Sequence, residues 1–154
     1  MSLAKDKPLF ETPAHYEEDV HAWAFEQARL LRLGRFSELD LVNVIEEIES
    51  LGRSERKSLR SSYRLILTHL LKWQHQPTLR SRSWSITIDR ERRNVERDEK
   101  DSPSLAARAD EIVAEAFELA RGDAAEETGL AISVFPETSP YTLDQLRDRS
   151  FLPE

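Results

Sequence analysis

Apolar residues recur at helical spacing through most of the chain, and the longest register that keeps its phase runs from Ser37 to Pro77. With Leu41 as origin and 100° per residue, Leu41, Val44, Ile45, Ile48, Leu51, Gly52, Leu59, Tyr63, Ile66, Leu70 and Trp73 fall within about 80° of one line. The phase survives Gly52. A loop there would have no reason to return the second half to the same rotation, so the pattern predicts one very long helix, or two nearly collinear ones. A kink is expected at Gly52, because glycine costs roughly 1 kcal/mol relative to alanine in a helix interior. Ser37 is the expected N-cap, with Glu38 and Asp40 complementing the helix dipole. Pro77 ends the run, since the residue before proline avoids helical angles.

Three further helices are expected around this one. Thr12 and Pro13 make an N-cap and first helical residue for a helix reaching about Leu33, with Tyr16, Val20, Trp23, Ala24, Gln27, Leu30 and Leu31 on one face. Gly34 then supplies a left-handed terminator, and the short connection to Ser37 predicts antiparallel packing against the start of the long helix. The third helix, about Leu79 to Lys100, has a thin apolar line of Trp84, Ile88 and Val95, with Glu91 and Asp98 between. The fourth runs from about Pro103 to Thr128, with Leu105, Ala109, Ile112, Ala116, Leu119 and Ala120 on its face, and Gly129 closes it. An extended tail over residues 129–154 follows, anchored by Phe135 and Tyr141. Thr142 with Gln145 forms a capping box for one short helix, Leu143 to about Asp148, and Phe151 and Leu152 tuck back. The reading is all-α, a single domain: a bundle of four principal helices with one very long central helix, a short C-terminal helix and a polar arm over residues 1–12.

Composition agrees with amphipathic helices that keep broad solvated faces: 39% hydrophobic and 33% charged in 154 residues, without cysteine. Disulfides and thiolate sites are therefore excluded. No apolar run reaches the roughly 18 residues of a membrane span, and no signal-peptide core is visible at the N-terminus, which makes the cytoplasm the expected location. Charge is unevenly distributed. Between Arg53 and Arg97 twelve Lys or Arg stand against four Asp or Glu, a local +8 within a total of −7, so the remainder carries −15. Either the two populations lie antiparallel in the fold and neutralise each other in surface pairs, or the basic face meets RNA, DNA or an acidic partner.

Three blocks, LDLVNVIEEIESLGRSE, HLLKWQHQPTLRSRSW and FPETSPYTLDQLRDRSFLPE, together resemble the bacterial family catalogued as domain of unknown function 29. The resemblance extends from roughly Tyr16 to Glu154 and implies a compact helical bacterial domain. It brings no activity, substrate or catalytic residue. Ser139 stands where the family favours cysteine, so a thiol-based role does not carry over to this chain.

The candidate chemistry is sparse. Glu18 and His21 form one Glu-x-x-His motif, whereas ferritin-like bundles use paired copies; both residues turn away from the apolar face, and no metal site is expected. His69 and His75 are about 120° apart on a helix, unsuited to joint chelation. Arg64 and His69 match loosely the Arg-x4-6-His pattern of the helical ribonucleases called HEPN domains, where arginine holds phosphate and histidine moves a proton. Seventeen arginines and four histidines give roughly one such spacing by chance. Glu55 falls about 40° from the apolar line, so an inward carboxylate is expected to pair with Arg90 or Arg93, to exit to solvent, or to build a polar pocket with Arg56, Tyr63 and His69. Trp73, Arg80, Arg82 and Trp84 surround a helix corner, where they either plug the core or stack nucleobases. Glu46, Glu47 and Glu49 make a solvated acidic face. No phosphate loop, nucleophile elbow or cofactor motif is present.

The expectation is a non-enzymatic protein that associates with an unidentified protein partner or a second copy, through a long amphipathic helix exposing part of its apolar stripe. An RNA-binding or ribonuclease role using Arg64, His69 and the basic segment is the alternative, and a metal-dependent hydrolase a third. No cofactor and no membrane contact are expected.

Overall fold

The computed structural model describes residues 14–154, so the Thr12–Pro13 helix start and the 1–12 arm lie outside the described residues. Among those residues the fold is all-α, without strands. Six helices are present: α1 Val20–Arg32, α2 Leu41–His75, α3 Arg82–Asp101, α4 Pro103–Ala106, α5 Ala109–Thr128 and α6 Leu143–Arg147. Four of these, α1, α2, α3 and α5, are principal. Two compact units result, residues 1–52 and 53–154, with α2 passing through the division as one helix of 35 residues.

In the first unit the helix start differs from expectation. The carbonyl of His15 accepts from the amides of Glu18 and Asp19, closing a separate turn, and the Asp19 carboxylate then accepts from the Ala22 amide at 3.0 Å. That side-chain cap begins α1 at Val20. Its end is as expected: Gly34 has φ +72, its amide donates to Leu31, and the Arg35 amide donates to Leu30, the two bonds of a Schellman closure. Ser37 is not a cap. It lies inside a 3-10 turn, Phe36–Glu38, and Asp40 precedes α2 instead, its carboxylate accepting from the Asn43 amide nitrogens. Tyr16 meets Glu47 and Trp23 meets Asp40, an early residue to a late one, so α1 and the opening of α2 are antiparallel.

In the second unit the core is built from the later part of α2, α3 and α5. Leu59, Tyr63, Ile66, Leu67, Leu70 and Leu71 are fully buried, against Ile88 and Val95 of α3 and Ile112, Ala116 and Ala120 of α5. Ser58 bonds Asp98 and Tyr63 bonds Glu99, while Lys72 sits over the Trp84 ring, so α3 runs antiparallel to α2. Ser81 caps α3 by accepting from the Trp84 amide, and a 3-10 turn at Pro77–Leu79 occupies the corner.

The expected fourth helix is divided. Four residues of α4 end at Ala106, the Arg108 amide closes a turn onto Leu105, and α5 begins at Ala109. This moves the buried face to Ala109, Ile112, Val113, Ala116, Phe117 and Ala120, leaving Leu119 42% exposed. Gly129 ends α5 at φ +73. Phe135 and Tyr141 are buried as expected, α6 carries the Thr142–Gln145 capping box, and Phe151 packs on the core while Leu152 is exposed.

Basic and acidic populations do neutralise each other, but along parallel helices. Arg56 and Arg60 reach Glu115, Arg64 reaches Asp123 and Lys72 reaches Glu127. Residue numbers rise together on the two helices. Two reversals, α2 to α3 and α3 to α5, restore the original direction, which is why an antiparallel arrangement was the wrong expectation.

Candidate functional site

Between Leu41 and Gly52 the apolar line of α2 is exposed apart from the half-buried Val44. Leu41 is 58% exposed, Ile45 47%, Ile48 66% and Leu51 64%. Tyr16 and Trp23 hold α1 on the Asp40 and Glu47 side of α2, which lies about 120° from the line of Leu41, Ile45 and Ile48. Helical geometry carries Val20, Ala24 and Leu31 of α1 onto the same flank of this hairpin, and all three are exposed. The hairpin buries only Ala22, Trp23 and Leu30 among its apolar side chains, too few to close a core of its own. Phe36 in the connecting turn and Val42 beside Leu41 add 66% and 79% exposed apolar surface.

The segment that carries this surface is acidic. Residues 14–52 contain nine Asp or Glu and three Arg, a net −6. Arg29 is paired with Glu26 within α1 and Arg35 with Glu38 in the turn. Of the acidic trio in α2, Glu47 is half-buried and accepts a 2.5 Å hydrogen bond from the Tyr16 hydroxyl, a contact that raises the Tyr16 pKa above its ordinary value. Glu46 and Glu49 are exposed.

Two cavities lie in the second unit. One of about 570 Å³ between α5 and the following segment is lined by Phe117, Glu118, Arg121, Ile132, Glu137 and Ser139. Arg121 donates to the Phe135 carbonyl there, and the Ser139 hydroxyl bonds the Tyr141 backbone, so both polar groups serve the tail. The other, about 370 Å³, is lined by Arg92, Glu96, Glu99, Arg147 and Arg149. Arg147 Nε lies 3.0 Å from Glu99 without hydrogen-bond alignment, and its Nη2 donates to the same carboxylate at 3.1 Å. Burial and the Glu99 bond push the Tyr63 phenol well above its ordinary pKa.

The candidates from sequence are dispersed. Glu55 takes the expected exit to solvent, within an exposed run from Leu51 to Glu55, and the arginines considered as its partners are engaged elsewhere, Arg90 with Glu91 and Arg93 with Asp89. Arg56 pairs with Glu115 and Tyr63 with Glu99. Neither Glu55, Arg56, Tyr63 nor His69 lines either cavity. Arg64 grips Asp123 through two bonds of 2.5 and 2.7 Å. His69 directs Nδ1 to the Leu65 carbonyl at 2.8 Å, and burial lowers its pKa. At the corner each half-buried tryptophan has its own cation: Arg80 stands 5.2 Å over Trp73 and donates to its carbonyl, and Lys72 stands 4.6 Å over Trp84. Arg82 is exposed. His75 packs edge-on to Phe135. Glu18 and His21 are exposed, and among the described residues no group of three or more metal-ligating side chains forms.

Sequence reasoning missed Arg92, 2% exposed in α3, whose guanidinium donates to the carbonyls of Gln145, Leu146 and Phe151. Its signal was its place about 40° from Ile88 on the α3 wheel.

Residues 15–152 match the family model described as Domain of unknown function DUF29. The chain belongs to this family. The match spans nearly the whole chain, both units included, as the three sequence blocks implied. Among curated proteins and among solved structures, none matches the chain. Among the described residues no helix is long and apolar enough to cross a membrane.

Proposed function

We propose that this is a cytoplasmic bacterial association module that works without chemistry of its own, binding a protein through the apolar flank of its first unit. One observation carries the reading. A single line of α2 is sealed by α3 and α5 at Leu59, Tyr63 and Ile66, yet the same line is open at Leu41, Ile45 and Ile48. Covering five Leu, Ile and Val side chains of this exposure is worth on the order of 5 kcal/mol, enough to drive specific binding. Contiguous apolar surface on a helical hairpin marks an interaction site.

The test compares the full chain with an Ile45→Asp, Ile48→Asp variant as bait in extracts of the source cells, alongside light scattering of both. The reading expects a stoichiometric partner, or a dimer, that the variant loses. A monomer whose retained proteins are the same for both baits sinks it. The RNA alternative gains no support from the geometry, since Arg56, Arg60, Arg64 and Lys72 are all engaged by carboxylates of α5.

A further inference from the structure

We infer that the occupant of the first unit's apolar flank is a basic amphipathic helix of another protein, a deepening that rests on the association reading above. Three observations select it. The open surface on α2 is a line along one continuous helix, Leu41, Ile45, Ile48 and Gly52, with α1 alongside contributing Val20 and Leu31. Two antiparallel helices with one open flank accept a third helix lying in the groove between them, its own apolar residues at i, i+3, i+4 and i+7.

The second observation is charge. Residues 14–52 carry −6. A second copy would bring another −6 against the first and be repelled, as would nucleic acid or an anionic bilayer. A helix with Lys and Arg flanking its apolar line is attracted and oriented.

The third is Gly52. It lies on the exposed line, inside a helix it weakens, and a Cβ built there meets nothing within 4 Å. No neighbour within the chain calls for the missing side chain. A docked helix does, because glycine lets two backbones approach closely at the point of crossing.

The probe is a synthetic amphipathic peptide of about 18 residues, leucines on one face and lysines on the other, titrated into the full chain by calorimetry. Its controls are the same peptide with glutamate for lysine and a scrambled peptide of identical composition. Binding by the lysine peptide is expected to be about tenfold or more tighter than by either control and to weaken with added salt. Ile48→Asp should abolish it while leaving the circular dichroism unchanged. Equal binding of the glutamate peptide, no binding of any peptide, indifference to added salt, or indifference to Ile48→Asp overturns the inference. A chain that instead dimerises through this flank, with Ile48→Asp restoring the monomer, also overturns it, while leaving the association reading standing.

Discussion

Ile48 and Ile66 are 18 residues apart on α2, roughly five turns, and so lie on one line of the helix, yet Ile48 is 66% exposed and Ile66 is fully buried. The two are chemically the same side chain in the same backbone conformation. What differs is the cover, and a matched pair of truncations measures it. Ile66→Ala should cost about 2–5 kcal/mol in urea unfolding, whereas Ile48→Ala should change the isolated chain by about 0.5 kcal/mol or less. A large cost at Ile48 in the isolated chain would show that this position is already covered.

Gly52→Ala separates folding from binding. The added Cβ meets nothing, so the free chain should gain about 0.5–1 kcal/mol from helix propensity. Partner or peptide affinity should fall in the same variant. Thermal unfolding and calorimetric titration on one preparation check both halves.

Arg92 is a fully buried cation that bonds only backbone carbonyls, with Asp148 and Asp89 opposing its desolvation from a distance. Arg92→Met leaves three carbonyls without their donor and should destabilise by about 2–4 kcal/mol. Lysine cannot reproduce the fork, so Arg92→Lys should fail similarly. Hydrogen exchange at Leu146 and Phe151 should accelerate in both variants, because their amides belong to the segment that Arg92 holds.

Stability should fall on the acid side through Glu115. Hydrogen bonds from Arg56, and more weakly Arg60, depress its pKa from 4.5 to about 2. A carboxylate depressed in the folded state stabilises above its unfolded pKa and loses that contribution as pH falls through the folded one, so the loss belongs between about 4.5 and about 2. Glu115→Gln should lower stability at neutral pH and converge with the native chain at the acid end. Equal slopes of stability against pH in the two proteins would remove Glu115 as the cause.

His69 acts in the same direction by another route. Burial lowers its pKa below the ordinary 6.5, so the unfolded chain binds a proton that the folded chain refuses. Its contribution is complete above 6.5 and is lost as pH falls toward the lowered value. Proton NMR of the imidazole gives the shift directly. Incubating labelled RNA with the native chain and with His69→Ala should show no cleavage and no salt-sensitive retention by either.

Much of the fold was legible because its signals are local. Gly34 and Gly129 adopt the left-handed conformation their positions called for, and Thr142 and Gln145 complete a box visible three residues apart. Periodicity gave the line of α2 but carries no information on what lies over it, so the change from open to sealed between Leu51 and Leu59 was hidden. Asp19 displaced the anticipated start of α1 and Asp40 the cap at Ser37, each by offering a carboxylate closer to the helix. Arg92 escaped because an apolar wheel discards charged positions, although donors as well as hydrocarbons can be interior. The direction of α5 relative to α2 needed only a count of reversals.

The tail's dependence on Arg92 has a consequence for synthesis. Phe135, Tyr141 and Leu146 belong to the second unit's core, and the Phe151 carbonyl completes the Arg92 fork. A nascent chain can wind α2, α3 and α5 as they emerge and pack them on one another, but Phe135, Tyr141 and Leu146 join that core only after the tail has followed. Until then the part of the core that the tail covers is open to water and to other chains, and a pause in translation through residues 135–151 should prolong its exposure to chaperones.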